Sequence, residues 1–472
     1  MTGSALQSLR KQAQALRRRA ASVPEVLETA LARIAAIEPA INSFITGVEQ
    51  ARLRDEANIL QRELDAGRSR GPLHGIPIGI KDVIQTKGLR TTGGSAALDD
   101  WVPDEDAFAV AKLREAGALI IGKHNTHEFA MGVTTNNARF GACLNPWNQG
   151  HIPGGSSGGS GAAVGAGLCI AALGTDTGSS IRRPAAFCGA VGLKPRYGRV
   201  SRHGVMLVSW SMDHVGPIAA SMFDAVAMLD AIAGFDAQDP ATLEERWEPA
   251  LPTLSAPHEL RRAGVPRRWI EATCTAGVGA RFDEACKFAQ RAGLQLVDID
   301  PPDAIDLLNA LRLIALVETQ VAHEERFAKV GERYSDELKA LVRLGGYIPA
   351  PHYAKAQQLR ARVRAWLRDQ FKDIDLILSP TMPIVAPRIA EPNFQQSPPS
   401  VVADSSGVFC SFGALGGMES ISLPMGLSDG LPTGVLLTGP GRVERALLRL
   451  AAQLEAALPP LPELPATAPR AA

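Results

Sequence analysis

The segment Pro153-Gly154-Gly155-Ser156-Ser157-Gly158-Gly159-Ser160-Gly161 decides how this chain is built. Its flanks are apolar and a run of small residues follows, so a flexible linker accounts for it poorly. A phosphate-binding loop needs a lysine directly after the glycines, and none is there. Residues 154–158 also fit Gly-x-Ser-x-Gly, the strained turn that presents a serine nucleophile at the end of a strand. That turn needs a strand before it and a histidine late in the chain. Residues 145–153 carry Pro146, Gly150 and Pro153 and cannot form a central strand, and His352 is the last histidine of 472 residues. What remains is a catalytic turn whose glycines let the backbone come close to a reacting group.

A second turn of small residues follows: Thr175-Asp176-Thr177-Gly178-Ser179-Ser180-Ile181-Arg182-Arg183-Pro184. Successive backbone N–H groups in such a turn converge into a nest that holds an oxyanion during acyl transfer. Ser180 ends the turn and is placed to attack a carbonyl whose oxygen sits in that nest. A serine nucleophile needs a base, and neither turn contains a histidine. Lys81 follows the apolar run Ile76-Pro77-Ile78-Gly79-Ile80. A buried lysine loses its proton because the charged form is poorly solvated, so it can act as a base near neutral pH. Taken alone, Lys81 reads as a surface or salt-bridged residue; the two turns together with it reverse that reading.

The surrounding sequence reads as an α/β core. Ile76–Ile80 suits a buried strand. Ala107 to Ala116 suits a helix that Gly117 stops, and residues 118–121 suit a strand. Ser221 and Asp224 form a partial capping box for a helix ending at Gly234. Val26, Leu27, Ala30, Leu31, Ile34 and Ile37 recur at helical spacing, with Pro39 as punctuation. On these signals residues 1–70 form an N-terminal helical layer and 71–234 the catalytic core. Residues 235–350 form an inserted helical and strand region on the substrate side. Residues 351–457 complete the core, and 458–472 form a disordered, Pro/Ala-rich tail. The Pro/Ser/Gln-rich residues 391–404 read as a loop.

The joint pattern resembles the amidase signature family. The residues that carry it are Gly79-Ile80-Lys81-Asp82, then 153–160, then 174–182, extended by Cys188 to Pro195 and Tyr197 to Arg202. The match is specific from about residue 70 to 220 and weaker beyond. The resemblance implies a single α/β body with a mixed, twisted central β-sheet covered by helices on both faces. It implies a Ser–cis-Ser–Lys triad of Ser180 as nucleophile, Ser156 as the bridging serine and Lys81 as base. It implies an oxyanion nest at Thr177, Gly178, Ser179 and Ser180, a pocket wall at Met131, and Ser157, Asp176 and Arg182 as residues that orient the turns. The family usually has glycine where Ser179 stands; were a positive φ required there, serine would be strained.

The mechanism so implied runs through an acyl-enzyme and uses no metal or organic cofactor. Two activities fit. One is a free-standing hydrolase of small amides or anilides, extending to carbamates or esters. The other is the glutamine-hydrolysing A subunit of a tRNA-dependent amidotransferase. That subunit grips glutamine with a carboxylate whose place, counted back from Ser422-Leu423-Pro424, falls on Gly407, with Asp404 three residues off.

Composition limits the partners. Lys plus Arg and Asp plus Glu both number 49, so the net charge is zero, and aromatics are 5%. Neither value suits a nucleic-acid binder. The run from Ala162 to Gly174 is too short and glycine-broken to span a membrane. The basic N-terminus lacks the apolar stretch of a secretory signal. Six scattered cysteines form no CxxC pair. The expectation is a cytoplasmic enzyme with a small-molecule amide substrate, no nucleic acid and no membrane; assembly into a homo-oligomer is left open.

Overall fold

The computed structural model describes residues 9–47, 49–389 and 407–464. Its frame is a mixed sheet of 11 strands among the described residues. In chain order the strands are β1 (Phe44–Thr46), β2 (Pro77–Lys81), β3 (Leu119–His124), a small hairpin of β4 (Asn136–Asn137) and β5 (Gly141–Ala142), β6 (Ala171–Asp176), β7 (Val191–Lys194), β8 (His214–Ala219), β9 (Arg262–Val265), β10 (Gln295–Asp298), β11 (Leu376–Pro380), β12 (Glu419–Ser428) and β13 (Leu431–Gly439). In space the sheet runs β1-β3-β2-β6-β8-β7-β12-β13-β11-β9-β10. The groups β3-β2-β6 and β11-β9-β10 pair in parallel. The strands between those groups pair antiparallel.

Strands β2, β3, β6, β7 and β8 are buried along their whole length. That burial explains why β2 and β3 read as apolar runs rather than as alternating patterns. Burying an Ile or Leu side chain such as Ile78, Ile80 or Leu173 contributes roughly 1.5–3 kcal/mol each. Helices flank the sheet: α1 (Leu9–Arg17), α2 (Val23–Ile41), α3 (Gln50–Asp65), α4 (Phe108–Glu115), α5 (Gly158–Gly165), α6 (Arg182–Cys188), α7 (Met222–Ile232), α8 (Arg267–Thr273), α9 (Ala276–Arg291), α10 (Ala304–Val330), α11 (Asp336–Tyr347), α12 (Ala350–Gln370), α13 (Ser411–Gly416) and α14 (Glu444–Ala457). Among the described residues, no helix is long and apolar enough to cross a membrane.

Several local expectations need correction. Helix α2 does not stop at Pro39 but runs through it to Ile41. Proline in the last turn is tolerated because Asn42, in the left-handed conformation, closes the helix by donating its N–H to Glu38 O. The N-terminal layer is not purely helical, since β1 joins the central sheet antiparallel to β3. The region after residue 235 is not confined to a place beside the sheet: β9 and β10 extend its edge. Within the expected tail, Leu461 and Leu464 are half-buried against the core, an apolar anchor that outweighs the Pro/Ala composition. The loop expected at 391–404 and the tail beyond Leu464 lie outside the described residues.

The topology creates one address for chemistry. Strands β2 and β6 are parallel neighbours, with Ile78 opposite Ala171 and Ile80 opposite Leu173. Their C-terminal ends, carrying Lys81 and Thr175-Asp176, therefore emerge side by side. Helix α5 packs across β2, β3 and β6. Its start, just after Ser156, faces the same end of the sheet.

Candidate active site

Lys81 is the last residue of β2 and is fully buried. Its Nζ donates to Ser156 Oγ at 2.7 Å and to Thr175 Oγ1 at 2.8 Å. Burial pushes the amine down to about 7, against the pull of the Asp213 and Asp176 carboxylates. Lysine in this setting changes charge within the neutral range.

Ser156 lies between Pro153 and the start of α5. The Gly155–Ser156 peptide bond is cis, and Gly154 before it has φ 83°. Close approach of two backbones explains the glycines here. A Cβ on Gly155 would lie 2.8 Å from Thr134 N and from Val133 C. One on Gly159 would lie 2.4 Å from Asn125 O and 2.5 Å from Ser43 O. The carbonyl of Ser156 is held by His127 N and by the hydroxyls of Thr126 and Thr135.

The two turns are stitched by Ser157. Its hydroxyl donates to Thr175 O at 3.2 Å and accepts from Thr175 N at 3.3 Å, while its N–H donates to Ser180 O at 3.3 Å. Beneath the second turn lies a fully buried ion pair. Arg182 Nε and Nη2 meet the two Asp176 oxygens at 3.0 and 2.8 Å. Arg182 also donates to Gly178 O and Cys410 O, both at 2.8 Å. Burial alone would raise the Asp176 carboxyl, but the charge and hydrogen bonds of Arg182, with Lys194 nearby, hold it well below the usual range. Ile181 N donates to Asp176 Oδ2 at 3.0 Å, so that carboxylate also fixes the chain just past Ser180.

With the turn so fixed, the N–H groups of Thr177, Gly178, Ser179 and Ser180 donate to no acceptor among the described residues. They are the open donors that an oxyanion would take. Neither Gly178 nor Ser179 adopts a positive φ, so serine at 179 carries no left-handed strain. Leu311 of α10 packs over Gly178, 3.3 Å from where a Cβ would stand. Met131 follows Phe129 and Ala130, both left-handed at φ 44° and 63°, and its Sδ accepts from Thr319 of α10 at 3.2 Å. Gly407 faces the turn as well: a Cβ there would lie 3.4 Å from Arg183 Nη2 and 4.0 Å from Ser179 Oγ. Asp404 lies outside the described residues.

The structure thus gathers Lys81, Ser156, Ser157, Asp176, the 177–180 turn and Arg182, with Met131 against α10. Residues not singled out in the sequence belong here too. Thr175 holds the second bond to Lys81; its place at the end of the strand beside Lys81 is the signal that marks it. Asp213, just before β8, accepts from Thr177 Oγ1 at 2.5 Å, and nothing in its sequence context marks it.

The lysine–serine pair and the turn of open N–H groups both fall on the matched region of one family: the Amidase family model covers residues 25–448. The chain belongs to this family. It is 38% identical to the A subunit of the glutamyl-tRNA(Gln) amidotransferase of Anaeromyxobacter sp. (strain K), with 97% of each chain covered. Among solved structures it is similar to a chain from a vestigial protein complex bearing on the origins of an s-triazine catabolic enzyme. That match has a TM-score of 0.87 at 31% identity, covering 96% of this chain and 98% of the other. It is also similar to the native peptide amidase of Stenotrophomonas maltophilia, with a TM-score of 0.82 at 29% identity and 98% of each chain covered. This chain shares its fold with both structures over nearly its whole length.

Proposed function

We propose that this amidase-signature enzyme hydrolyses small, fairly apolar amides or anilides, and activated carbamates or esters, without a protein partner. The observation that carries this reading is the buried Lys81 Nζ–Ser156 Oγ contact of 2.7 Å beside the open N–H groups of residues 177–180. In the proposed reaction Lys81 starts as the free amine, with its lone pair turned to Ser156 and an N–H still on Thr175. It takes the Ser156 proton as Ser156 takes that of Ser180. Ser180 Oγ attacks the carbonyl carbon, and the oxygen becomes negative among the turn N–H groups. Ser156 then returns the proton to the leaving nitrogen and the C–N bond breaks. Water, deprotonated along the same path, frees the acid from Ser180.

The second reading is a glutamine-hydrolysing amidotransferase subunit, favoured by the 38% identical relative. Against it stands Gly407, which faces Ser179 and Arg183 and supplies no carboxylate for the ammonium group of glutamine. A site without that partner loses discrimination by about 10²-fold or more, because a buried charge stays unpaired. The test compares the purified chain on p-nitroacetanilide, a benzamide, an aryl carbamate and L-glutamine, with Ser180→Ala as control. Preference for the anilide or carbamate, lost in Ser180→Ala, supports the hydrolase. Preference for glutamine, or glutaminase activity only with added partner subunits, overturns it.

A further inference from the structure

Asp213 closes the loop that precedes β8 and is 4% exposed. One of its oxygens accepts from Thr177 Oγ1 at 2.5 Å. The other accepts from Val208 N at 2.7 Å and Ser209 N at 3.1 Å. The same loop is clamped from outside the sheet. Glu318 of α10 accepts from the Ser209 hydroxyl and from Ser211 N and Oγ. Arg360 of α12 donates to Ser211 Oγ and O. Asp213 is therefore a fixed point between a rigid loop and the Thr177 end of the catalytic turn.

Asp176, the residue before Thr177, is engaged two-pronged by Arg182. No cation among the described residues lies within ion-pair distance of Asp213. Arg202, the nearest charge acting on it from the 196–204 segment, is itself paired with Asp239. On the far side, His214 is turned to Asp176 O and to Lys194, not to Asp213.

We propose that Asp213 is a positioning residue of this site, its carboxylate tying the Thr177 end of the oxyanion turn to the backbone of the 208–213 loop. This rests on the Ser–Ser–Lys reading above. The tie has two ends: removing the Thr177 hydroxyl or the Asp213 carboxylate frees the turn while Lys81, Ser156 and Ser180 stay in place.

The test uses the full chain with p-nitroacetanilide, or whichever substrate the wild type turns over. Asp213→Ala, which removes the acceptor of the Thr177 hydroxyl, is expected to lower kcat by about tenfold with KM nearly held. Thr177→Val is likewise expected to lower kcat by about tenfold with KM nearly held, and Thr177→Ser to recover most of that loss. Thermal melts check that each variant is folded. Wild-type kcat in folded Asp213→Ala, or in Thr177→Val, overturns the proposal. Should Asp213→Ala not fold, the Thr177 pair decides: loss in kcat with rescue by serine supports positioning, and its absence refutes it. Activity surviving in Ser180→Ala or Lys81→Ala is a different result, one that removes the triad itself.

Discussion

Lys81 changes charge near pH 7, and the rate should follow it. The perturbation is pH alone. With the amine half-protonated at about 7, the reactive free-amine fraction is roughly 10% at pH 6 and roughly 90% at pH 8. The expected result is a rise of about tenfold in kcat/KM across those two units, levelling above pH 8. An exposed lysine, with its ordinary value of 10.5, would instead keep the rate climbing tenfold per unit past pH 9. The limb belongs to Lys81 and Ser156 together, since one proton passes between them. The assay is initial-rate hydrolysis of a chromogenic anilide from pH 5.5 to 9.5, with far-UV circular dichroism at each pH to exclude unfolding. A flat profile, or a limb centred above pH 9, refutes the idea that burial prepares this lysine as a base. Lys81→Ala should remove most activity at pH 7.5 while retaining the fold; wild-type rates in that variant would make Lys81 merely structural.

Other outcomes follow from the same geometry. Ser180→Ala should abolish turnover while Ser179→Gly retains it, and a fluorophosphonate adduct mapped by mass spectrometry should fall on Ser180; an adduct on Ser179 reverses the assignment. Arg182→Met should cost about 3–5 kcal/mol by leaving Asp176 charged, buried and unpaired, read as a large loss in urea midpoint. Gly159→Ala should prevent folding or inactivate the enzyme, because its Cβ would meet the Asn125 and Ser43 carbonyls, and a folded, active variant would show that α5 can shift. Glu455 is raised to about 7 by burial and by the nearby Asp224 carboxylate, so the folded state holds a proton that the unfolded chain releases near 4.5. Its ionisation withdraws stability as pH rises from about 4.5 through 7, so Glu455→Gln should raise Tm more at pH 8 than at pH 5.

The parts of the site that were legible in the sequence are those the backbone must build. Glycines at 154, 155, 158, 159 and 178 leave a visible spacing because each answers a close approach or a turn. Lys81 is visible because a charged residue ends an apolar run. Thr175 and Asp213 are hidden for the opposite reason: a threonine at a strand end and an aspartate in a loop are ordinary, and only pairing β6 against β2 and β8 gives them their roles. The same holds for the fold. Strands β2 and β3 show themselves as buried runs, but β6 is hidden because it begins within the longer small-residue stretch from Ala162 to Gly174, and the three residues of β1 are too few to show a period. Nothing local in β9 or β10 tells that they prolong the central sheet, since the order of strands is decided by contacts between segments far apart in sequence.

Helix α10 passes over the 177–180 turn and touches it with an apolar side chain. Leu311 lies on Gly178 and Thr319 on Met131, with Ala315 one turn from each along the same side. One helix thus meets the turn through hydrocarbon at Leu311 and holds the neighbouring 208–213 loop through Thr319, which also donates to Val208 O, and through Glu318. Leu311 is therefore the natural first position for a small combinatorial library, while Thr319 carries part of the scaffold.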